Sequence, residues 1–187
     1  MPQQGLLFDT GPVVPGLLFV EDAIDPATEA ALEQRIDAVP LAPFQFGQWE
    51  GKRLTAHYGS AYDYQHARPV PAPDLPDWLV ALRATLLPRL EREPGQFGQA
   101  LLIRYDPGAG IGWHRDRPHY DEVVGLSLGA PAVLRLRRRT ADGFDRRKVE
   151  LPPRSAYLLS GEVRENWEHS IAPIDATRRS ITFRSLR

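Results

Sequence analysis

The second half of the chain is a succession of short apolar segments separated by turns, and this pattern restricts the possible folds more than any other feature. After Gly98 the sequence predicts eight strands, at residues 99–105, 111–114, 123–128, 133–138, 147–151, 156–160, 168–171 and 180–184. Turns such as Asp-Pro-Gly at 106–108 separate them. Eight antiparallel strands in succession are typical of a jelly roll, a double-stranded β-helix made of two sheets. We therefore predict a jelly-roll core over roughly residues 98–187.

The first half of the chain adds helices to this core. An irregular arm of about twelve residues and a short strand near 16–24 come first. Asp25 and Pro26 are residue types preferred at a helix start, and they predict a helix over 27–39. Apolar residues at helical spacing predict a second helix over 78–90. The predicted fold class is α+β, mainly β, with helices flanking the jelly roll on its N-terminal side in a single domain of 187 residues.

Prolines, glycines and aromatic residues are dense between residues 40 and 76, where a helical period is absent. The segment has two interpretations. One is a long, proline-stiffened loop whose aromatic residues join the core. The other is a substrate-recognition lid, because long ordered loops in compact domains are often functional. Only residues 52–58 have the pattern of a strand.

The composition excludes several classes of site. The chain has no cysteine, so disulfides, thiolate catalysis and cysteine-ligated metals are excluded, and any transition metal must be bound by His, Asp or Glu. The formal net charge of −1 is unlike that of a protein that only grips phosphate backbones. Neither a run of 18 apolar residues nor a secretory signal is present, so we expect a cytoplasmic monomer without membrane contact.

The triplet His-Arg-Asp contains two candidate metal ligands. His114 and Asp116 lie two residues apart, and on a strand the side chains at i and i+2 point to the same face. A third ligand must come from a distant strand, and His169 is the natural candidate. Two histidines and one carboxylate form the facial triad of non-haem iron(II) oxygenases, which leaves open positions for cosubstrate and oxygen. Taken alone, the triplet is common, and His169 could be an ordinary core histidine.

Four segments in order along the chain resemble those of a known family. They are RYDPGAGIGWHRD at 104–116, EVVGLSLG at 122–129, LPPRSAYLLSGEVRENWEHSI at 151–171, and the pair Arg178 and Arg184 with five residues between them. On these segments the chain resembles the AlkB-like iron(II)- and 2-oxoglutarate-dependent dioxygenases over roughly residues 43–184. The resemblance implies Fe(II), 2-oxoglutarate and O2 as cofactors, with iron bound by the triad.

The resemblance also assigns residues to 2-oxoglutarate. Arg178 would bind its far carboxylate, since a guanidinium grips a carboxylate with two hydrogen bonds. Tyr105 would donate a hydrogen bond to the same carboxylate, and Arg184 would lie near metal and substrate. The alternatives are a core tyrosine and a solvated strand end. Arg179 competes with Arg178 but falls on the opposite face of the predicted strand.

For the substrate, the resemblance implies a nucleic acid whose base is held beneath the lid. The candidate substrate and lid residues are Arg53, Tyr58, Tyr62, Trp113, Arg164 and Trp167. Aromatic rings and cations of this kind stack on flipped bases, although buried tryptophans more often only pack. Arg164 could reach either the pocket or backbone. The hairpin over 135–148 carries seven basic and two acidic residues; it could contact phosphates, or be a solvated tip.

Two positions depart from the family pattern. Ile103 stands where the family often has an asparagine that helps hold the cosubstrate. Pro118 stands where members that repair nucleic acids often have a carboxylate that recognises the damaged base. Asp121 or Glu122 would have to reach the base instead, so the usual substrates of the family are in question.

The predicted function is oxidative removal of alkyl groups from nucleic-acid bases, as in DNA or RNA repair. Hydroxylation of another target, such as tRNA or protein, is the alternative within the enzyme class, and a non-catalytic jelly-roll binding module is the alternative outside it. The triad and the arginine opposite it favour the enzyme. A metal-only hydrolase would need a general base beside the metal, and none is apparent. His57, His66 and His119 are interpreted as surface or loop histidines, the last with a possible place near the ligands.

Overall fold

Residues 12–46, 48–63 and 66–187 are described by the structure, a computed structural model. The elements in chain order are β1 (Leu17–Val20), α1 (Pro26–Ala38), β2 (Ala42–Phe46), β3 (Trp49–Tyr58), β4 (Ser60–Asp63), β5 (Arg68–Pro71), α2 (Asp77–Leu86), β6 (Gln99–Tyr105), β7 (Ile111–His114), β8 (Tyr120–Gly129), β9 (Ala132–Thr140), β10 (Gly143–Leu151), β11 (Ala156–Leu159), α3 (Gly161–Asn166), β12 (Glu168–Ile171) and β13 (Arg178–Leu186). The predicted arm falls almost entirely outside the described residues.

Two antiparallel sheets hold the eight strands that the sequence predicts after residue 98. The major sheet has the order β1-β11-β8-β13-β6-β3-β2, and the minor sheet has the order β10-β9-β12-β7. The eight predicted strands therefore divide four and four between the sheets, with β1, β3 and β2 extending the major sheet at its edges. This arrangement confirms the predicted class, a mainly β fold with a double-stranded β-helix at its centre.

The major sheet lies between the helices and the minor sheet. On its outer face, α1 and α2 cover a core to which they contribute Leu32, Ile36, Leu79, Leu82 and Leu86, packed against β6, β8, β11 and β13. On its inner face, a second core joins the two sheets, with Leu134 and Leu136 of β9 beside Val123 of β8. Because side chains alternate along a strand, β8 and β11 contribute side chains to both cores.

The helix boundaries follow from local chemistry. At the start of α1 the Asp25 carboxylate accepts a hydrogen bond from the Thr28 backbone N–H at 2.7 Å, and Pro26 occupies the first turn. The helix predicted over 78–90 ends earlier, because α2 stops at Leu86 and a 3-10 turn, Leu87–Leu90, follows. Pro88 lacks the N–H that would continue the α-helical hydrogen bonds.

The segment 40–76 is not an irregular loop where the structure describes it. β2 and β3 pair with each other, and β3 adds to the edge of β6 in the major sheet. β4 and β5 form a separate two-stranded hairpin, in which Pro69 and Pro71 are tolerated because each strand has only one neighbour. The interpretation as a proline-stiffened loop is therefore wrong, because the segment contains a strand pair and a hairpin, and its role as a substrate-recognition lid stays a prediction. Among the described residues, no helix is long and apolar enough to cross a membrane.

Candidate active site

Three predicted ligands meet at one end of the space between the sheets. His114 ends β7 and faces His169 of β12 as a directly paired residue, while Asp116 follows β7 by two residues. One ligand atom from each of the three side chains lies within 4.8 Å of the other two. The two imidazole rings are 4.2 Å apart between centroids and tilted by 56°. Within the described residues, these are the only His, Cys, Asp or Glu side chains grouped closely enough to hold a metal ion.

Neighbouring groups orient these ligands. The Nδ1 atom of His114 lies 2.9 Å from the carbonyl oxygen of Gly112, so Nδ1 carries the proton and Nε2 is left as the metal-binding atom. Arg184 donates from Nε to Oδ1 of Asp116 at 3.0 Å, and its Nη2 forms an ion pair with the same oxygen at 2.8 Å. The other carboxylate oxygen, Oδ2, lies 3.5 Å from Nε2 of His169. Arg184 therefore holds one oxygen of Asp116 and directs the other towards the histidines.

The protonation states suit metal binding. Burial lowers the pKa of His169 to about 3. His114, Arg184 and Arg164 also lower this pKa, whereas Asp116 acts to raise it. Burial also lowers the pKa of His114. Burial of Asp116 acts to raise its pKa, but Arg184, His169, His114 and Arg164 together outweigh this and hold the pKa well below the usual range. Two neutral imidazoles and one carboxylate at neutral pH are the ligand set that iron(II) takes in oxygenases, so the residues present fit the ion.

Arg178 lies across the cavity from the metal ligands as a buried cation. It is 1% exposed, its Nε donates to Ser127 Oγ at 3.2 Å, and its guanidinium lies 5.1 Å from the ring centroid of Tyr105. Its Nη1 is buried without a hydrogen-bond partner in the described part of the chain. Arg179 points the other way, to Glu33 and Asp37 of α1, as strand alternation predicts. A buried guanidinium of this kind is stable only with an anion beside it.

One cavity of about 620 Å³ contains both the triad and Arg178. The sequence analysis missed two of its wall residues. Tyr157 of β11 is partly buried there, and burial raises the pKa of its hydroxyl to about 12. His57 of β3 also lines the cavity, with Nδ1 buried and unpartnered among residues that the structure describes. The interpretation of His57 as a surface histidine is wrong, because β3 joins the major sheet and turns this side chain inward.

The six candidate substrate residues separate into two groups. Arg53, Tyr62 and Trp113 line the cavity. Tyr58 does not, because it points to the opposite face of β3 and packs against the core beneath the helices. Trp167 is 3% exposed and packs in the core between the sheets. Arg164 contacts the protein main chain, where it donates hydrogen bonds to the carbonyl oxygens of Arg117 and Tyr120 at 2.8 and 2.7 Å.

The carboxylates suggested as replacements for the base-reading acid lie elsewhere. Glu122 forms an ion pair with Arg92, with hydrogen bonds of 2.7 and 2.8 Å, and Asp121 lies 3.5 Å from Arg187. Neither lines the cavity, and Pro118 is exposed. An acid that does line the cavity is Glu50 of β3, which accepts a hydrogen bond from Gln45 at 3.1 Å.

The two remaining histidines lie outside the ligand cluster. The ring of His119 stacks on Tyr62, 5.2 Å apart between centroids and 10° from parallel, so it supports a residue of the cavity wall. His66 is exposed and pairs with Asp63 at 2.7 Å, in agreement with its assignment to the surface.

Comparison with known proteins gives matches of both sequence and fold. The model of the 2OG-Fe(II) oxygenase superfamily matches residues 41–185. The chain is 31% identical over 168 residues to a tRNA (carboxymethyluridine(34)-5-O)-methyltransferase alkbh8 of Xenopus tropicalis, covering 85% of this chain and 25% of that protein. It is 28% identical over 210 residues to an alkylated DNA repair protein ALKBH8 homolog of Arabidopsis thaliana, covering 97% of this chain and 58% of that protein. The chain thus spans only part of the length of these relatives.

Two solved structures share the fold. OsALKBH1 superposes with a TM-score of 0.69 and 16% sequence identity, over 92% of this chain and 99% of that one. A prolyl-4-hydroxylase of Pseudomonas putida superposes with a TM-score of 0.62 and 18% identity, over 92% of this chain and 93% of that one.

Proposed function

Because the chain belongs to the 2OG-Fe(II) oxygenase superfamily as an AlkB-like dioxygenase, we propose that it oxidatively removes alkyl groups from nucleic-acid bases. The observation that carries this proposal is that one cavity contains the three metal ligands, an aromatic rim and a buried arginine whose Nη1 has no hydrogen-bond partner among the described residues. The first two fit the cofactors of the superfamily. The rim fits a flat, alkylated base.

His114, Asp116 and His169 would hold the iron(II) of the superfamily. When bound, the metal with 2-oxoglutarate and O2 supplies the oxidation of a substrate C–H bond, and hydroxylation of an N-methyl group leads to release of formaldehyde. The chain's own contribution is orientation. Gly112 fixes the tautomer of His114, and Arg184 keeps Asp116 ionised and aimed.

Arg178 and Tyr105 would bind the far carboxylate of 2-oxoglutarate. The buried Nη1 of Arg178 lacks a protein acceptor in the described residues, and a carboxylate would supply one. Arg178 and Tyr105 are directly paired residues of β13 and β6, so both side chains reach the same point of the inner face. Ser127 of β8 fixes the guanidinium from the other side.

The rim of the cavity supports an aromatic substrate. The ring of Tyr62 is held by the stacked His119 ring and by the guanidinium of Arg117, which lies 4.7 Å from the Tyr62 centroid. Trp113 and Arg53 also contribute to the wall. Rings held in this way offer a flat face to a base, and stacking of one base contributes about 1 to 3 kcal/mol. The Glu50 carboxylate on the same wall could accept a hydrogen bond from an exocyclic amine.

A modified base in tRNA is the second candidate substrate. Two observations favour it. The Xenopus relative is a tRNA methyltransferase by name, and an exposed proline stands two residues after the metal aspartate, where repair members of the family often have a base-reading carboxylate. In this case the same oxidation would act on a modified uridine or another tRNA base.

The first experiment measures succinate formation by protein reconstituted with Fe(II), 2-oxoglutarate and O2. We expect iron-dependent turnover in the wild type and none in His114→Ala. Arg178→Lys should raise the KM for 2-oxoglutarate about 10- to 100-fold, since it loses charge-assisted hydrogen bonds of roughly 1.5 to 3 kcal/mol. Arg179→Lys is the matched control, because its side chain points to α1 and should leave this KM unchanged.

The second stage adds substrates to the same reaction. Methylated single- and double-stranded oligonucleotides and bulk tRNA are compared for stimulation of succinate formation and for release of formaldehyde. Stimulation by a methylated oligonucleotide with formaldehyde release supports dealkylation, whereas stimulation by tRNA alone supports the second candidate. Turnover that persists in His114→Ala, or an unchanged KM in Arg178→Lys, contradicts the assignment of the site.

A further inference from the structure

The outer face of the minor sheet carries a row of basic side chains stacked on aromatic rings. Arg137 lies 4.5 Å from the ring centroid of Phe144, and Arg146 and Arg139 lie 5.3 and 5.4 Å from it. Arg137 also lies 4.5 Å from the centroid of Trp113. Two aromatic rings and the arginines between them therefore form a continuous surface across three strands. We call this surface the arginine face, and its basic members are Arg135, Arg137, Arg139, Arg146 and Lys148.

Strand alternation separates the basic residues of this hairpin into two sets with different pairing. Arg138 and Arg147 point to the opposite side, and both contact Asp145. Within the described part of the chain, two cations of the arginine face pair with a carboxylate, Arg137 with Glu168 and Lys148 with Glu150. Among residues that the structure describes, Arg135, Arg139 and Arg146 have no carboxylate within 4.0 Å. The arginine face thus has an excess of three positive charges.

The register of the hairpin increases the repulsion on this face. Arg146 is directly opposite Arg137, and Lys148 is directly opposite Arg135. Like charges directly opposite each other in an antiparallel pair destabilise it. Cation–π contact with Phe144 and Trp113 offsets part of this repulsion, and a planar guanidinium beside an aromatic ring can still donate hydrogen bonds to an anion from its edge.

The arginine face begins at the mouth of the active-site cavity. Trp113 lines the cavity and at the same time lies beneath Arg135 and Arg137, which are 5.2 and 4.5 Å from its centroid. His114, the next residue, is a metal ligand. A polyanion that follows the face towards β7 would therefore arrive at the opening through which a base must enter.

We propose that the arginine face binds the phosphodiester backbone of the nucleic acid whose base is oxidised, an inference that rests on the proposed function. Phosphates suit it because planar guanidinium groups bind phosphate oxygens with two hydrogen bonds. Alternate residues of a strand are about 6.8 Å apart, so the face offers a row of cations rather than a single anion site. Because the protein's net charge is −1, the attraction for phosphates comes from the local positive charge of this face and not from the charge of the whole molecule.

The test compares two double variants that remove the same charge from the same hairpin. Arg139→Gln with Arg146→Gln removes two unpaired cations of the arginine face, and Arg138→Gln with Arg147→Gln removes two cations of the other side. Binding of fluorescein-labelled single-stranded RNA, single-stranded DNA and duplex DNA is measured by anisotropy between 50 and 200 mM NaCl. Melting temperature and oligonucleotide-free succinate formation are measured for both variants.

We expect the first variant to bind oligonucleotides about tenfold more weakly at 100 mM NaCl. The slope of log Kd against log salt should also fall by about two, one for each lost phosphate contact. The second variant should change Kd by no more than about twofold, through screened long-range attraction. The oligonucleotide for which the Kd values of the two variants differ most identifies RNA or DNA as the source of the phosphates. Succinate formation without oligonucleotide should be unchanged in both.

Three results would overturn the proposal. They are equal weakening in both variants, no weakening in the first, or binding of polyglutamate where no oligonucleotide binds, which would assign the face to an acidic protein. Failure of the proposed function is a separate outcome. In that case an oligonucleotide would bind through the arginine face, and yet no methylated substrate would release formaldehyde.

Discussion

Two polar atoms in the cavity wall, Arg178 Nη1 and His57 Nδ1, are buried without a hydrogen-bond partner in the described residues. A buried polar group left without a partner costs about 1 to 3 kcal/mol, so such groups are uncommon away from binding sites. Arg178 has a place in the proposed function, as the cation for 2-oxoglutarate. His57 does not, but it lines the same cavity and would be partnered by a bound ligand.

His57 gives a prediction for the pH dependence of stability. Burial lowers its pKa to about 4 in the folded protein, with the cations of Arg184 and Arg53 acting in the same direction. Its ordinary value is 6.5, so between pH 6.5 and 4 the unfolded chain binds more protons than the folded one. The free energy of unfolding must therefore fall as the pH falls through this range.

Between pH 7.5 and pH 5.0, we expect the free energy of unfolding of His57→Gln to fall by about 1 kcal/mol less than that of the wild type, after allowance for partial exposure of the ring. Urea unfolding of both proteins at the two pH values, in the presence of a chelator, measures this. His114 and His169 titrate in the same direction, so the variant keeps part of the pH dependence. The same fall in unfolding free energy in both proteins would show that His57 is not the group responsible.

At the scale of elements, the core strands could be predicted because their alternation is regular and their turns are marked. α3 could not, since its six residues are too few to show a helical period. The sequence also could not show which face of β3 points to the cavity, because side chains on both faces of this strand are covered. Tyr58 packs beneath the helices while His57 faces the cavity, so the prediction chose the neighbouring residue. Two of the metal ligands were predictable because His114 and Asp116 are only two residues apart in the sequence, although Asp116 lies beyond the end of β7.

The packing of β8 against β11 requires a residue without a side chain at position 125. Gly125 is directly opposite Tyr157, and a Cβ atom at Gly125 would lie 2.3 Å from Cζ of the Tyr157 ring. The ring is partly buried, packs against the core between the sheets and forms part of the cavity wall, so its freedom to move away is restricted. The glycine therefore makes room for the tyrosine inside the catalytic core.

We expect Gly125→Ala to destabilise the protein by about 1 to 3 kcal/mol, the usual effect of overpacking a core. For a chain of this size this corresponds to a melting temperature lower by roughly 2 to 10 °C. Gly98→Ala is the control, because a Cβ atom there has no heavy atom within 4 Å. Thermal melting of the three proteins decides the question, and equal melting temperatures for the two variants would refute the close contact with Tyr157.

At the scale of the whole molecule, the site joins the two sheets. His114 and His169 belong to the minor sheet, whereas Arg178 and Tyr105 belong to the major sheet. A metal ion on the first pair and 2-oxoglutarate between the metal and the second pair would therefore connect the sheets across their open end. Ligands that bind only the folded state raise its stability by mass action, and here they act on the contact between the layers.

We expect Mn(II), which occupies such a site without the oxidation chemistry, to raise the melting temperature, and 2-oxoglutarate to raise it further only when Mn(II) is present. At a concentration of 100 times its dissociation constant, each ligand should raise the free energy of unfolding by about 2.7 kcal/mol and the melting temperature by roughly 5 to 10 °C. His169→Ala should lose both increments, because the metal would have only two of its three ligands. Arg178→Lys should keep the Mn(II) increment and lose most of the 2-oxoglutarate increment. A 2-oxoglutarate increment that is full-sized without Mn(II), or in Arg178→Lys, would mean that the cosubstrate does not bridge the two sheets.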